Sequence, residues 1–366
     1  MRIEIAQNIV EHFHKMPFGF GRGPDNDEWK VMEKVFPMTD EEGQVLSQLM
    51  PYGEHIDDLA ERLGRDKNEL IPLLDSLIQK LWVGREGTKE DGHYRAISWL
   101  PGVWELQVKH YTPELLEFYR THLISEPRTD TTAEILPWFR VVPREYAMPY
   151  NVEVLPSELL SHIIEDTGDE PIAVLDCMCR TAAKLRGESC DAPRDDICMM
   201  FGFLAQTAIE GGAGRAITKA EAMKVGKRAQ DAGLVHQACT VAHNIAVCSC
   251  CPCHCGPLRA LLSGFPQATN VQSNFEPVLS MELCNGCQSC IKVCPAKAIT
   301  LDRKNKKAVV DLAKCIGCGI CVLSCPIENA VTLKRKEKVI TYPRTWDDFL
   351  RIRAQQTGRT EFYKEE

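Results

Sequence analysis

The chain has 366 residues, 44% of them hydrophobic and 26% charged, a balance that excludes general disorder and leaves room for two or three packed units. No run approaches the ~18 apolar residues of a bilayer span. The opening Met1-Arg2-Ile3-Glu4-Ile5 has no basic segment leading into an apolar one, so a cytoplasmic protein with no membrane span is expected. The net charge is −8, yet residues 281–366 hold 16 Lys+Arg against 10 Asp+Glu. A basic end on an acidic body can steer an acidic protein partner toward it.

In chain order, residues 1–38 read as an extended or loosely helical lead-in broken by Pro17, Gly19, Gly21, Gly23 and Pro24. Residues 39–100 form the first unit. Thr39-Asp40-Glu41-Glu42 fits a capping box ahead of Val45, Leu46 and Leu49, and two further helices follow through Ile56–Leu63 and Leu70–Leu81. Val83 to Ser98 reads as a hairpin turning at Lys89-Glu90-Asp91-Gly92. Three helices and a hairpin predict a winged helix-turn-helix. From Thr39 to Trp99 there are 7 Lys+Arg against 13 Asp+Glu, where a DNA reader needs a basic footprint. Protein docking or dimerisation is therefore the favoured role, and nucleic-acid binding the minority one.

Residues 101–150 are proline-punctuated and read as a helical connector; residues 151–265 read as an α/β unit. There Ser157 can cap a helix carrying Leu159, Leu160, Ile163 and Ile164, and Ile172-Ala173-Val174-Leu175 predicts a buried strand. Asp195 to Ile209 is apolar enough for one buried helix. Thr218-Lys219-Ala220-Glu221 is a second capping box, opening a helix that stops at Gly233.

All 18 cysteines fall between Cys177 and Cys325, and clustered thiols in a reducing compartment point to metal ligation rather than disulfides. Over residues 273–336 the run C-x2-C-x2-C-x3-C-P occurs twice, as Cys284, Cys287, Cys290, Cys294-Pro295 and as Cys315, Cys318, Cys321, Cys325-Pro326. This is the bacterial two-cluster ferredoxin spacing, in which the fourth cysteine of each run serves the other cluster. Cys284, Cys287, Cys290 and Cys325 are expected to hold one [4Fe-4S] cluster, and Cys315, Cys318, Cys321 and Cys294 the second. The segments 299–301, 308–310 and 330–333 supply small covering strands, and residues 337–366 are read as a tail.

The ten other cysteines are Cys177, Cys179, Cys190, Cys198, Cys239, Cys248, Cys250, Cys251, Cys253 and Cys255. Cys177 and Cys179 follow a strand and can share one centre, with Cys190 and Cys198 as completing ligands. The block Cys248 to Cys255 adds five thiols and His254, too many for one tetrahedral zinc, so a third iron–sulfur cluster, a zinc ion, or mixed use is expected. Cys239 is balanced between ligand and buried thiol. A catalytic pairing of Cys239 or Cys255 with His236 or His254 is a further alternative, while His236 and His243 read first as structural. Gly211-Gly212-Ala213-Gly214-Arg215 reads as a plain connection, lacking a dinucleotide fingerprint.

With these residues in view, the sequence resembles a family of largely uncharacterised iron–sulfur proteins from anaerobic bacteria and archaea. The likeness runs from Met16-Pro17-Phe18-Gly19-Phe20 to Leu333. It includes Arg140-Val141-Val142-Pro143, Cys177-Met178-Cys179-Arg180, Cys190-Asp191-Ala192-Pro193, Cys198-Met199-Met200-Phe201-Gly202, Gly233-Leu234-Val235-His236, the block 248–255, Ser273-Asn274-Phe275 and both ferredoxin runs. The resemblance implies a winged-helix-like N-terminal segment, a Cys-rich middle and a two-cluster ferredoxin end. His254 stands where members often have another cysteine. Adjacent Cys250-Cys251 is also distantly similar to the paired cysteines of heterodisulfide reductase catalytic subunits. The expected fold is an α+β multidomain chain, and the expected function is low-potential electron transfer to or from a middle metal site or a partner oxidoreductase subunit. The alternatives are a reductase acting at the middle site and a redox-responsive winged-helix regulator.

Overall fold

The computed structural model describes residues 1–17, 37–119, 135–149, 152–263 and 270–363, a mixture of helix and sheet. Among the described residues no helix is long and apolar enough to cross a membrane. The glycines of the lead-in at 19–23 and the connector residues 120–134 lie outside this set.

The lead-in is more regular than its sequence suggests. Ile3–Lys15 is a helix because Ile5, Ala6, Ile9, Val10 and Phe13 recur every three or four positions and share one buried face. It lies against the helix Asp40–Leu46, where a Cβ on Gly43 would stand 2.5 Å from Ile5 Cγ2. That second helix starts at the expected capping box: Thr39 N–H donates to Glu42 Oε2 (2.6 Å) and Glu42 N–H to Thr39 Oγ1 (3.2 Å). The helices Ile56–Leu63 and Lys67–Gln79 follow. Strands β1 (Glu54–His55), β2 (Val83–Gly87) and β3 (Gly92–Ala96) form an antiparallel sheet ordered β1-β3-β2, with Gly87 opposite Gly92 at the expected turn.

This hairpin is clamped to the rest of the molecule. Arg85 Nη2 pairs with Glu210 Oε1 at 2.6 Å, Arg95 Nη1 with Asp347 Oδ1 at 2.6 Å, and a Cβ at Gly84 would meet Phe203 at 2.8 Å. The residues read as a tail include the capped helix Trp346–Thr357. Its Trp346 and Phe349 pack on Trp138, ring centroids 6.1 and 5.3 Å away, and Arg353 lies 4.0 Å above the Trp138 ring. One apolar core therefore joins the first helix, the hairpin unit and the chain's last helix.

The middle of the chain builds a seven-stranded sheet from β4 (Phe139–Val142), β5 (Ile172–Leu175), β6 (Cys198–Phe201), β7 (Arg215–Ile217), β8 (Val235–Cys239), β9 (Ala246–Cys250) and β10 (Asn270–Val271). Its order is β10-β4-β8-β9-β6-β5-β7, antiparallel except for the β10–β4 pair. Strand β5 falls where expected. The single helix read over Asp195–Ile209 divides instead. Cys198–Phe201 enters the sheet between β5 and β9, Gly202 breaks the strand at φ +56°, and a helix runs Gly202–Glu210. A continuous apolar run suits a two-sided buried strand as well as a buried helix, so periodicity alone cannot separate them. Strand β4 likewise lies inside the segment read as a helical connector. Ser157 does not cap the helix Leu160–Glu165, whose N-cap is Leu159 with no side-chain cap; Glu158 instead accepts from Leu155 N–H at 2.9 Å. The capping box at Thr218 is formed as expected, and Gly211 is a connection whose missing Cβ leaves room for Leu81.

At the C-terminal side, β11 (Phe275–Leu279) pairs with β14 (Val331–Arg335) and β12 (Ile299–Asp302) with β13 (Lys307–Val310), around the short helices Ser289–Val293 and Ile320–Ser324. The covering strands fall within two residues of their expected bounds, and β11 was not expected.

His243 ties the loop after β8 to the segment before β5, its Nδ1 2.9 Å from Asp166 Oδ2 and its Nε2 3.1 Å from Glu170 Oε1. The Glu170 hydrogen bond, together with Asp166, raises its pKa to about 9 against the cost of burial. Because the folded-state value lies above the ordinary ~6.5, this contribution is complete below that pH and disappears as pH rises through about 9. The variant His243→Gln should unfold at lower temperature than the parent near pH 6, by no more than about 1 kcal/mol at this half-exposed site, and match it above pH 9.5 to 10 or thereabouts. Anaerobic thermal unfolding across that range checks it.

Candidate metal centres

The two four-cysteine runs interlock. One enclosed cleft is lined by Cys284, Cys287, Cys290 and Cys325, and a second by Cys315, Cys318, Cys321 and Cys294. Each cleft thus takes three thiols from one run and the fourth from the other. The loop 284–288 and the loop 315–319 supply the first thiols, and the helices Ser289–Val293 and Ile320–Ser324 end in Cys294 and Cys325 as their C-caps. Backbone N–H groups point at sulfur: Ala308 to Cys284 (3.4 Å), Ala298 to Cys294 (3.3 Å) and Gly317 to Cys315 (3.4 Å). Such contacts stabilise ligated thiolate and tune cluster potential. Gly286 and Gly317 hold φ of +73° and +67°, and a Cβ would meet Lys306 O at 2.1 Å in the first and Phe275 O at 2.2 Å in the second. Cys287 is exposed, whereas Cys318 is half-buried against the middle sheet, its carbonyl accepting from Arg144 N–H at 3.0 Å.

In the middle unit six thiols close a ring of neighbours: Cys177 beside Cys179, then Cys255, Cys250, Cys248, Cys198, and back to Cys177. The sheet explains it. Cys248 and Cys250 are two apart on β9 and share a face. The β6–β9 register, Met199 opposite Val247, continued by one pair, sets Cys198 against Cys248. Leu175 opposite Cys198 brings the end of β5 alongside, and Cys177 caps the helix Met178–Leu185. Cys255 caps the helix Gly256–Leu262, its Sγ 3.2 Å from that of Cys250. Helix N-termini favour thiolate. Hydrogen bonds from flanking thiols, Cys198 first, lower Cys248 to about 5.

Three polar side chains at this ring were given no role by the sequence, although Arg180 adjoins Cys179. Glu105, from the turn Trp104–Leu106, lines the same cavity and accepts from Gly102 N–H at 2.8 Å. Burial, and then the negative charge of Cys248, raise its pKa to about 8, so it stands protonated at neutral pH. Gln237 Nε2 lies 3.5 Å from Cys255 Sγ. Arg180 donates twice to Ser249 O at 3.1 Å and faces Cys177, Cys198 and Cys251.

Cys190 does not join Cys177, Cys179 and Cys198. It gathers with Cys251, Cys253 and His254, their ligand atoms all within 4.8 Å of one another. Cys250 and Cys251 therefore part company, because adjacent residues leaving a strand face opposite sides, and the likeness to paired-cysteine subunits finds no common centre here. Cys239 stays outside both groups, a buried thiol raised well above its ordinary value by burial. The sequence-proposed Cys–His pairs are not made: His236 Nδ1 meets Ser249 Oγ at 3.3 Å, burial holds its pKa near 4, and His254 belongs with Cys251.

An apolar wall connects the two regions. Val141, Val235, Leu258, Ile316 and Ile320 form one buried cluster with Cys250 and Cys255, against which Cys179, Cys248 and Cys318 also pack. The second ferredoxin cleft thus abuts the six-thiol ring, while the residues lining the first take no part in this wall.

A family model described as a 4Fe-4S dicluster domain matches residues 276–326. No curated protein and no solved structure matches the chain. The chain therefore carries a ferredoxin-type iron–sulfur domain over that span, and iron–sulfur binding follows from it.

Gly317 gives a direct test of how this domain is seated. In Gly317→Ala the new Cβ would lie 2.2 Å from both Phe275 O and Ser273 Oγ, at a cost of about 1–3 kcal/mol. Anaerobic unfolding should show that loss, while Gly358→Ala, at another left-handed glycine with nothing within 4 Å, should cost only about 1 kcal/mol of backbone strain.

Proposed function

We propose that the protein is a low-potential electron-transfer iron–sulfur protein that wires an outer redox partner to a metal centre in its middle sheet. Cys284, Cys287, Cys290 and Cys325 hold the outer [4Fe-4S] cluster, and Cys315, Cys318, Cys321 and Cys294 the inner one. Cys177, Cys179, Cys198, Cys248, Cys250 and Cys255 hold a third, iron-containing centre. The observation that carries this reading is the shared apolar wall: Cys250 and Cys255 of the ring belong to one buried cluster with Ile316 and Ile320, and the half-buried Cys318 of the inner cleft packs against it. Ferredoxin clusters of this kind work near ~−400 mV, and a dry, rigid path between centres favours direct transfer. The exposed Cys287 edge, on the basic part of the chain, suits an acidic redox protein or oxidoreductase subunit.

The unit at residues 39–100 is, in this reading, a winged-helix-like module used for docking rather than for DNA. Its wing is engaged by Glu210 and Asp347, and the cations at the start of its third helix are neutralised, Arg65 by Glu41 at 2.9 Å and Lys67 by Asp57 at 2.6 Å. A reductase remains the second reading. The ring offers six thiols where a cubane takes about four, and the protonated Glu105 at the same cavity could deliver a proton to a bound substrate.

Oxygen-free protein should contain about twelve or more irons per chain, roughly eight of them in the ferredoxin clusters. Cys294→Ser and Cys325→Ser should each remove or alter a different cluster signal in low-temperature EPR, the Cys294 change falling on the inner cluster despite its place in the first run. A parent with about eight irons and only zinc elsewhere would make the ring structural and end the relay proposal.

A further inference from the structure

Cys190, Cys251, Cys253 and His254 form a second, separate donor set. From the proposal above the inference uses only the assignment of the six-thiol ring to a different centre. We infer that these four side chains bind one tetrahedral zinc ion, which pins the two chain segments that build the ring.

The donor set, together with its closeness, fits zinc. Zinc bonds sulfur at ~2.3 Å and imidazole nitrogen at ~2.0–2.1 Å, so a tetrahedron leaves its donor atoms roughly 3.5–4 Å apart. The four donor atoms here lie within 4.8 Å of one another, with Cys251 Sγ 4.0 Å from His254 Nδ1. The donor set separates this group from the ring: three thiols and one imidazole close on a single point, where the ring has six thiols and no imidazole. Three thiolates and an imidazole complete the shell, leaving no open position, as in structural zinc sites.

The connectivity supplies the role. Cys190 lies between Cys179 and Cys198, both in the ring; Cys251, Cys253 and His254 lie between Cys250 and Cys255, also both in the ring. The chain leaves the ring, reaches the second group and returns, once on each side. One ion there joins the loop after the helix Met178–Leu185 to the turn after β9, across a gap bridged otherwise by Arg180, which faces Cys251 on one side and Cys177 and Cys198 on the other. Cys251 is buried in the core and Cys190 packs against the same cluster, but Cys253 is exposed and His254 half-buried, so apolar packing does not hold the tip of this turn. A structural zinc supplies that constraint through bonds instead of burial.

Zinc and iron are counted per chain in full-length protein made without oxygen, for the parent, for Cys253→Ser/His254→Ala and for His254→Cys. About one zinc is expected in the parent, a loss of roughly tenfold or more in the double variant, and retention in His254→Cys, with ferredoxin EPR signals present in all three. Protein produced with cobalt(II) in place of zinc should show the visible absorption of a tetrahedral thiolate site. Those bands should shift in His254→Cys, where sulfur replaces nitrogen, which assigns them to this group even if the double variant fails to fold. A parent without zinc, a folded double variant that keeps its zinc, or cobalt bands that do not respond at residue 254 would overturn the inference. The relay proposal is judged separately, on iron: it fails at eight irons whatever the zinc count.

Discussion

Six thiols brought into mutual contact within a largely buried cavity set the terms for everything around them. Like charges at such distances cannot all be ionised without compensation, and in their absence of charge they would be a reactive, oxidisable patch. Cys177, Cys250 and Cys255 are buried and no cationic side chain other than Arg180 is placed against the ring among the described residues. In the reading proposed above, metal charge is the compensation that suits sulfur, and the strands and helix ends hold these thiols in register for it. The strands supply three of them, helix caps supply two, and the start of the helix after β5 supplies the sixth.

The rest of the fold serves to enclose that ring and bring the ferredoxin lobe to one side of it. The hairpin of the N-terminal unit packs on the helix Gly202–Glu210, and the last helix reaches back to Trp138 beside β4. The turn Trp104–Leu106 places Glu105 at the cavity and Trp104 Nε1 2.9 Å from Met178 Sδ. On the opposite side Arg144, just past β4, bonds Cys318 O through its backbone and Gln230 O through its side chain. The ferredoxin lobe is thus fastened by the same sheet whose face carries the ring, and the separation between centres is set by Val141, Val235 and Leu258.

Local signals were strong where chemistry is local. The capping boxes at Thr39 and Thr218, the Asp91-Gly92 turn and strand β5 are each dictated by side-chain-to-backbone bonds or by burial over a few residues, and each is found where the sequence places it. The helix Trp346–Thr357 was missed although Thr345, Asp348 and Gly358 mark its two ends locally, whereas strand β4 was not legible, since its place is set by pairing with distant strands. The Asp195–Ile209 segment misled for a related reason: its apolar run is equally at home in a strand covered on both faces, and only its pairing with β5 and β9 decides the first half.

The same distinction governs the metal ligands. The doubled C-x2-C-x2-C-x3-C-P run determined the ferredoxin-type domain by itself, because three thiols on one loop turn and a fourth on the next helix end leave few geometries open. Nine of the ten other cysteines could be read as candidate ligands, with Cys239 left open, but they could not be sorted, since Cys190 and Cys198 are near in sequence and Cys250 and Cys251 are adjacent. Tertiary structure divides them, through the alternation of side chains along β9 and the reach of the loop before β6, and it alone brings in Glu105 and Gln237 and turns Arg180, next to Cys179 in sequence, toward Cys177, Cys198 and Cys251.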